Sequence, residues 1–135
     1  MRKIIIDTRE KKPLVFKEPT SRAKLDTGDY SLYGLTKTVT VEYKSLADFL
    51  LWLAVRDTRK EQITRLLTYE YKAIVVGGSF LAKNKWSKLD TEVIAKRTSS
   101  LVALGIPVVF AGGRLGAARF IRNFLREAER QWTLR

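Results

Sequence analysis

The chain has 135 residues, 45% of them hydrophobic and 10% aromatic, enough for one domain with a real core but not comfortably for two. It carries 26 Lys and Arg against 14 Asp and Glu, a net charge of +12, and neither histidine nor cysteine. Those absences exclude disulfides, zinc fingers, thiol nucleophiles and imidazole bases, leaving carboxylates, lysine, hydroxyls or an oxygen-ligated metal for any catalysis. So strong a positive charge points to a polyanionic partner, nucleic acid first, with simple solubility or a packing role as the blander readings.

The opening stretch MRKIIIDTRE has only three consecutive apolar residues before Asp7, which is not a secretory signal. No apolar run approaches the roughly 20 residues of a membrane helix. The expectation is a soluble intracellular protein, cytoplasmic or nucleoid-associated (nuclear in a eukaryote), with no membrane partner. Arg2–Ile6 reads as a short buried strand, because Ile4, Ile5 and Ile6 are β-branched and contiguous. Residues 11–23 read as irregular, broken by Pro13 and Pro19. Leu25–Leu32 and Lys37–Lys44 read as two strands of a hairpin that turns near Tyr33-Gly34.

Ser45 is placed to cap a helix, with Asp48 three residues on and Leu46, Phe49, Leu50 and Leu53 at helical spacing. A second helix is expected over Arg59–Tyr71. Lys72–Val76 is a buried strand closed by Gly77-Gly78, and the basic loop SFLAKNKWSK leads to a helix over Thr91–Leu104. Pro107–Ala111 is a further strand, and Gly112-Gly113 opens a long final helix. Strands alternating with helices imply a single α/β domain, residues 1–135, built as a layer sandwich around a mixed sheet.

Charges gather at the strand ends. Asp7 closes the first strand with Glu10 just beyond it, Asp29 follows Gly28, and Glu42 and Lys44 lie two apart on one strand face. A hairpin that sets Asp29 opposite Glu42 makes a two-carboxylate pocket suited to a hard cation such as Mg²⁺. Beside it a lysine could neutralise a phosphate or orient water. Taken singly, each residue has an ordinary explanation. Asp48 caps a helix, Lys44 is a solvated strand end, Arg9 and Glu10 form a surface pair, and Asp29 belongs to a turn.

Taken in order, Ile6-Asp7-Thr8-Arg9-Glu10, then Gly28-Asp29, then Glu42, Lys44 and Asp48 resemble the nuclease domain of the XPF-type structure-specific endonucleases. That family shows V/I-D-x-R-E, then G-D, then E-R-K-x-x-x-D. The resemblance runs over about residues 3–111, with RKEQITRL and YKAIVVGG as its downstream part. It implies a restriction-endonuclease-like three-layer sandwich that cuts branched, flap or fork DNA with Mg²⁺ or Mn²⁺. By carry-over Asp29 and Glu42 are metal ligands, with Asp7 as a third, and Lys44 is the catalytic lysine. Asp7, Glu10 and Asp48 are supporting acids of the same site. Arg9, Lys11, Lys12, Arg59, Gln62, Lys83, Lys85 and Lys88 are expected to contact DNA.

The chain departs from the pattern at Tyr43, where the family has arginine. By alternation that side chain points away from Glu42 and Lys44. Arg59 and Arg56 precede Gln62 by three and six residues, whereas the family's arginine stands four before. No helix-hairpin-helix module is expected, which makes an accessory DNA-binding protein a candidate partner. Two further readings stand beside the nuclease: a non-catalytic DNA-binding or scaffold module of the same fold, and a four-way-junction resolvase or linear-duplex nuclease.

The last helix carries two stripes, Ile121, Leu125, Ala128 and Trp132, and Arg119, Arg122, Arg126 and Arg130. The apolar stripe packs on the sheet or meets its copy in a homodimer, which the family's habit of pairing favours. The arginine stripe reads as a phosphate-tracking surface or a solvated face. Trp86, among Lys83, Lys85 and Lys88, reads as a base-stacking side chain or as ordinary packing.

Overall fold

Contiguous β-branched residues cannot alternate inside and outside, so the first strand must be covered on both faces. In the computed structural model, which describes residues 1–82 and 87–135, β1 (Ile4–Asp7) is buried along its whole length. The other strands are β2 (Thr20–Ala23), β3 (Tyr30–Leu32), β4 (Val39–Ser45), β5 (Tyr71–Gly77) and β6 (Val108–Phe110). They form one sheet in the order β2-β1-β3-β4-β5-β6. The pairs β1/β2, β4/β5 and β5/β6 are parallel, while β1/β3 and β3/β4 are antiparallel. This is the mixed sheet that the alternation of elements implies.

Helices cover both faces. On one, α4 (Arg114–Thr133) buries Ala117, Ala118, Ile121, Leu125 and Ala128 against Ile4, Ile6, Tyr30, Leu32, Val41 and Val75. The apolar stripe of α4 therefore packs within the subunit, and Trp132 lies at the edge of the same core. On the other face sit α1 (Leu46–Ala54), α2 (Arg56–Leu66) and α3 (Thr91–Ala103). Phe49, Leu50, Leu53, Leu66, Ile94 and Leu101 meet Ile74 and Val76 there, each buried side chain contributing about 2 kcal/mol. Two helical layers with a sheet between them make the three-layer sandwich.

Residues 11–23, expected to be irregular, do contain a strand. Thr20–Ala23 adds in parallel to the free edge of β1, its side chains exposed or half-exposed. An edge strand of polar residues buries no alternating face, so periodicity cannot report it. The strand expected over Leu25–Leu32 shrinks to Tyr30–Leu32, because Gly28 takes a φ of +88° that no strand accommodates. The second helix runs over Arg56–Leu66, and Tyr71 opens β5 instead of closing the helix. Val55, in an extended conformation, separates α1 from α2.

Candidate active site

Glu42 and Lys44 stand on β4 in register with Ile74 and Val76 of β5, and so face α1 and α2. Tyr43, between them, packs into the α4 core, as strand alternation requires. Tyr30 pairs with Val41 across the β3/β4 ladder. One step along, Asp29 donates its N–H to Val41 O at 2.8 Å and accepts the Tyr43 N–H on Oδ2 at 2.8 Å. Asp29 therefore comes level with Glu42.

Gly28 makes that approach possible. Its positive φ suits glycine, and a Cβ there would run into Thr40 Oγ1, which donates to Thr27 O at 2.7 Å. Asp29 and Glu42, with Asp7, Arg9, Asp26, Thr27, Gly28, Gln62 and Arg65, line a polar cleft of about 220 Å³.

The electrostatics divide the acids. Burial and the neighbouring Glu42 charge push the Asp29 carboxyl up to about 8, although the Tyr43 N–H works against the rise. Burial likewise pushes Glu42 up, offset in part by Lys44 and then by the Gln62 amide. The Lys44 ammonium lies 3.7 Å from Glu42 Oε1 and 5.1 Å from the centroid of the Trp52 ring. It is held between a carboxylate and an aromatic face.

Asp7 behaves in the opposite way. Burial acts to raise it, but Arg9 and the Leu25 N–H prevail and hold it below the usual carboxylate range. Arg9 Nε reaches Oδ2 at 2.8 Å and Nη2 reaches Oδ1 at 3.2 Å, while Leu25 N donates to Oδ1 at 2.8 Å. This carboxylate is fully engaged by protein donors.

The remaining residues expected at the site are scattered. Glu10 is half-buried, pushed up by burial, and near enough to Asp29 and Glu42 to raise both. Asp48 is exposed in the first turn of α1, where its N–H donates to Ser45 Oγ at 3.1 Å. Arg9 and Gln62 line the cleft. Lys11 and Lys12 are exposed, and Arg59 turns its guanidinium to Leu53 O. Lys88 borders a separate apolar groove with Leu50, Leu51 and Leu89. Lys83, Lys85 and Trp86 lie outside the described residues. The arginine stripe of α4 is across the sheet from Glu42, and Glu18 takes up Arg122 and Arg126.

The sequence reading missed Asp26, Arg65 and Trp52. Arg65 stands three residues after Gln62, on the same face of α2, and that spacing was legible. Among the described residues, no group of three or more acids converges closely enough to hold an ion between them. Two do approach, and the donor set is hard oxygen. Burial raises both carboxyls, and the Glu42 charge raises Asp29 further; a shared cation would offset that cost, so these residues fit a divalent metal.

No family model matches the sequence, and no curated protein does. Solved structures do. XPF from Aeropyrum pernix aligns with a TM-score of 0.76 at 23% identity, covering 97% of this chain and 67% of that one. XPF from Aeropyrum pernix in complex with DNA aligns with a TM-score of 0.79 at 22% identity, covering 97% and 66%. This chain spans about two thirds of the length of those proteins. The motif-based resemblance is thus matched in three dimensions, and the chain has the fold of an XPF-type nuclease domain.

Proposed function

We propose that this protein is a divalent-metal-dependent endodeoxyribonuclease that hydrolyses phosphodiesters of branched, flap or fork DNA. The observation that carries the reading is the pairing of Asp29 with Glu42 beside Lys44, in a cleft rimmed by Arg9, Gln62 and Arg65. The fold shared with XPF, one of whose solved structures is a DNA complex, supports it. So does the net charge of +12, because phosphate neutralisation dominates affinity for nucleic acid.

Asp29 and Glu42 are the residues that would hold Mg²⁺ or Mn²⁺. Such an ion would supply positive charge to the phosphate and lower the pKa of the attacking water. The chain's own groups do the rest. Lys44 holds an ammonium 3.7 Å from Glu42 Oε1, where it can neutralise a phosphate oxygen and stabilise the charge that builds in the transition state. Gln62 steadies the Glu42 carboxylate. Asp7 holds Arg9 at the rim, so this acid serves as a positioning residue. Arg9 and Arg65 draw the strand in.

One observation favours a second reading, a DNA-binding module without catalysis. Asp7 is spent on Arg9 and Leu25, leaving two acids where the sequence predicted three ligands. A cleavage panel of flap, fork, four-way and linear DNA, each with Mg²⁺ and with excess chelator, decides between them. Metal-dependent nicking that disappears in Lys44→Ala supports the nuclease. Tight DNA binding with no nicking, and no heat of Mg²⁺ binding by calorimetry, establishes the module.

A further inference from the structure

Among the described residues, two pairs of arginines each converge on one acceptor, a carboxylate for one pair and a backbone carbonyl for the other. On α4, Arg122 and Arg126 share Glu18 Oε2 at 3.4 and 3.7 Å. On the opposite face of the sheet, Arg59 of α2 and Arg97 of α3 both aim Nη1 at the carbonyl oxygen of Leu53, with Arg97 at 2.7 Å. Both side chains are half-buried, and neither makes an ion pair among the described residues.

A carbonyl at the C-terminal end of α1 brings the partial negative charge of the helix, about half an elementary charge. That cannot neutralise two guanidinium groups. Arg59 feels the shortfall. Burial first, then Arg97 and Arg56, push its pKa down. Both side chains donate to the same carbonyl, and each guanidinium repels the other. Each guanidinium has five N–H donors and uses one on Leu53, so most of the fork stays available to an outside acceptor.

We propose that Arg97 joins Arg59, itself an expected DNA contact, in a phosphate-binding pair that takes a backbone phosphate of DNA other than the one being cut. Its place in the fold supports that assignment, which rests on the DNA-cleaving reading of the neighbouring cleft. On α2, Gln62 stands three residues from both Arg59 and Arg65, and Gln62 and Arg65 line the acid cleft. Leu53 follows Trp52, whose ring faces the Lys44 ammonium. The pair thus sits at the Leu53 carbonyl, beside the first turn of α2, while Arg65 near the other end of that helix lines the cleft.

The test is the affinity of the full chain for a fluorescent fork DNA, measured by anisotropy in chelator across a salt series. Wild type is compared with Arg97→Gln and Arg97→Lys, and folding is checked by circular dichroism. Arg97→Gln is expected to weaken binding roughly three- to tenfold and to lower the salt slope by about 1, with Arg97→Lys recovering the slope but only part of the affinity. Inorganic phosphate alone should bind far more weakly than DNA, since it engages one contact.

Unchanged DNA affinity and slope in folded Arg97→Gln, with only a lowered melting temperature, would overturn the proposal and leave the pair as a fastening for α1. Because chelator removes catalysis from the assay, the two readings fail separately. Wild type that binds through Arg97 but never cuts defeats the nuclease and keeps the pair. Wild type that cuts while Arg97→Gln binds normally defeats the pair alone.

Discussion

Asp7 and Asp29 line the same cleft and are both withdrawn from solvent, yet they sit in opposite electrostatic states. At the Asp7 corner every donor the acid needs comes from within the chain: Arg9 and the Leu25 N–H. At the Asp29 corner burial and then the neighbouring acid Glu42 raise the carboxyl, and the Tyr43 N–H and the Lys44 ammonium offset that rise only in part. The first corner is a finished structural joint. The second leaves a buried carboxyl beside another acid, a perturbation of the kind that clusters at functional sites. The comparison teaches that proximity to a cleft does not assign a role; the supply of partners does.

The widest separation between the two corners should appear in catalysis. Glu42→Gln and Lys44→Ala each remove a charge from the Asp29 side of the cleft and are expected to lower the single-turnover cleavage rate by about 10²–10³-fold or more. DNA affinity in chelator should stay within about threefold of wild type, because neither side chain is the principal phosphate anchor. Retained cleavage in both variants would place the chemistry elsewhere.

Stability should change with opposite sign at the two corners. Asp7→Asn strips the charge from a carboxylate that satisfies Arg9 and Leu25 and turns an NH₂ toward donors. The cost is about 2–3 kcal/mol, read as a lower urea midpoint at pH 7. Asp29→Asn keeps an oxygen for the Tyr43 N–H and removes the repulsion with Glu42, so metal-free protein should gain on the order of 1–2 kcal/mol at pH 8. Added Mg²⁺ should raise the melting temperature of wild type and leave that of Asp29→Asn nearly unmoved. Equal losses in both variants would erase the distinction.

The pH profile sharpens the same contrast. Folded Asp29 keeps its proton up to about 8, against an ordinary 3.8 when unfolded. Its contribution is therefore complete below pH 4 and is lost as pH climbs to 8. Glu42, also raised, adds in the same direction. Asp7, held below 3.8, contributes above that value and loses its contribution as the solution is acidified further. Chemical denaturation of metal-free protein from pH 4 to 8 should show a downward slope that flattens in Asp29→Asn. A rising slope over that window would contradict the like-charge description.

How much of this was readable in the chain follows from the kind of signal each part emits. The sheet core announces itself, since Ile4, Ile5, Ile6 and Val39, Val41 are apolar in patterns only strands explain. The level approach of Asp29 and Glu42 follows from the hairpin and from a glycine just before the acid. β2 was invisible because its identity lies in backbone pairing to the edge of β1, with exposed polar side chains that leave no pattern. The engagement of Asp7 was equally hidden. Leu25 lies 18 residues away, and only the returning chain brings its N–H to the carboxylate. Arg97 was silent for the same reason, reaching Leu53 across 44 residues of sequence.

Trp52 offers the smallest expected effect and the finest probe of how Lys44 is held. The ammonium sits 5.1 Å from the centroid of this ring and 3.7 Å from Glu42 Oε1. The indole Nε1 is buried without a hydrogen-bond partner among the described residues, so the residue's value at this position lies in its aromatic face. Trp52→Phe keeps a face and deletes the orphaned donor, whereas Trp52→Leu keeps bulk and deletes the face. A cation–π contact at a half-buried site is worth about 1 kcal/mol. Trp52→Leu should therefore lower kcat by roughly three- to tenfold with KM nearly constant, and Trp52→Phe by less than about threefold. The Lys44 side-chain methylene resonances should be shifted upfield by ring current in wild type and Trp52→Phe, and relax toward ordinary values in Trp52→Leu. If both variants lose activity in proportion to their loss of stability, with those resonances unmoved, Trp52 is only core packing and Lys44 is held by Glu42 alone.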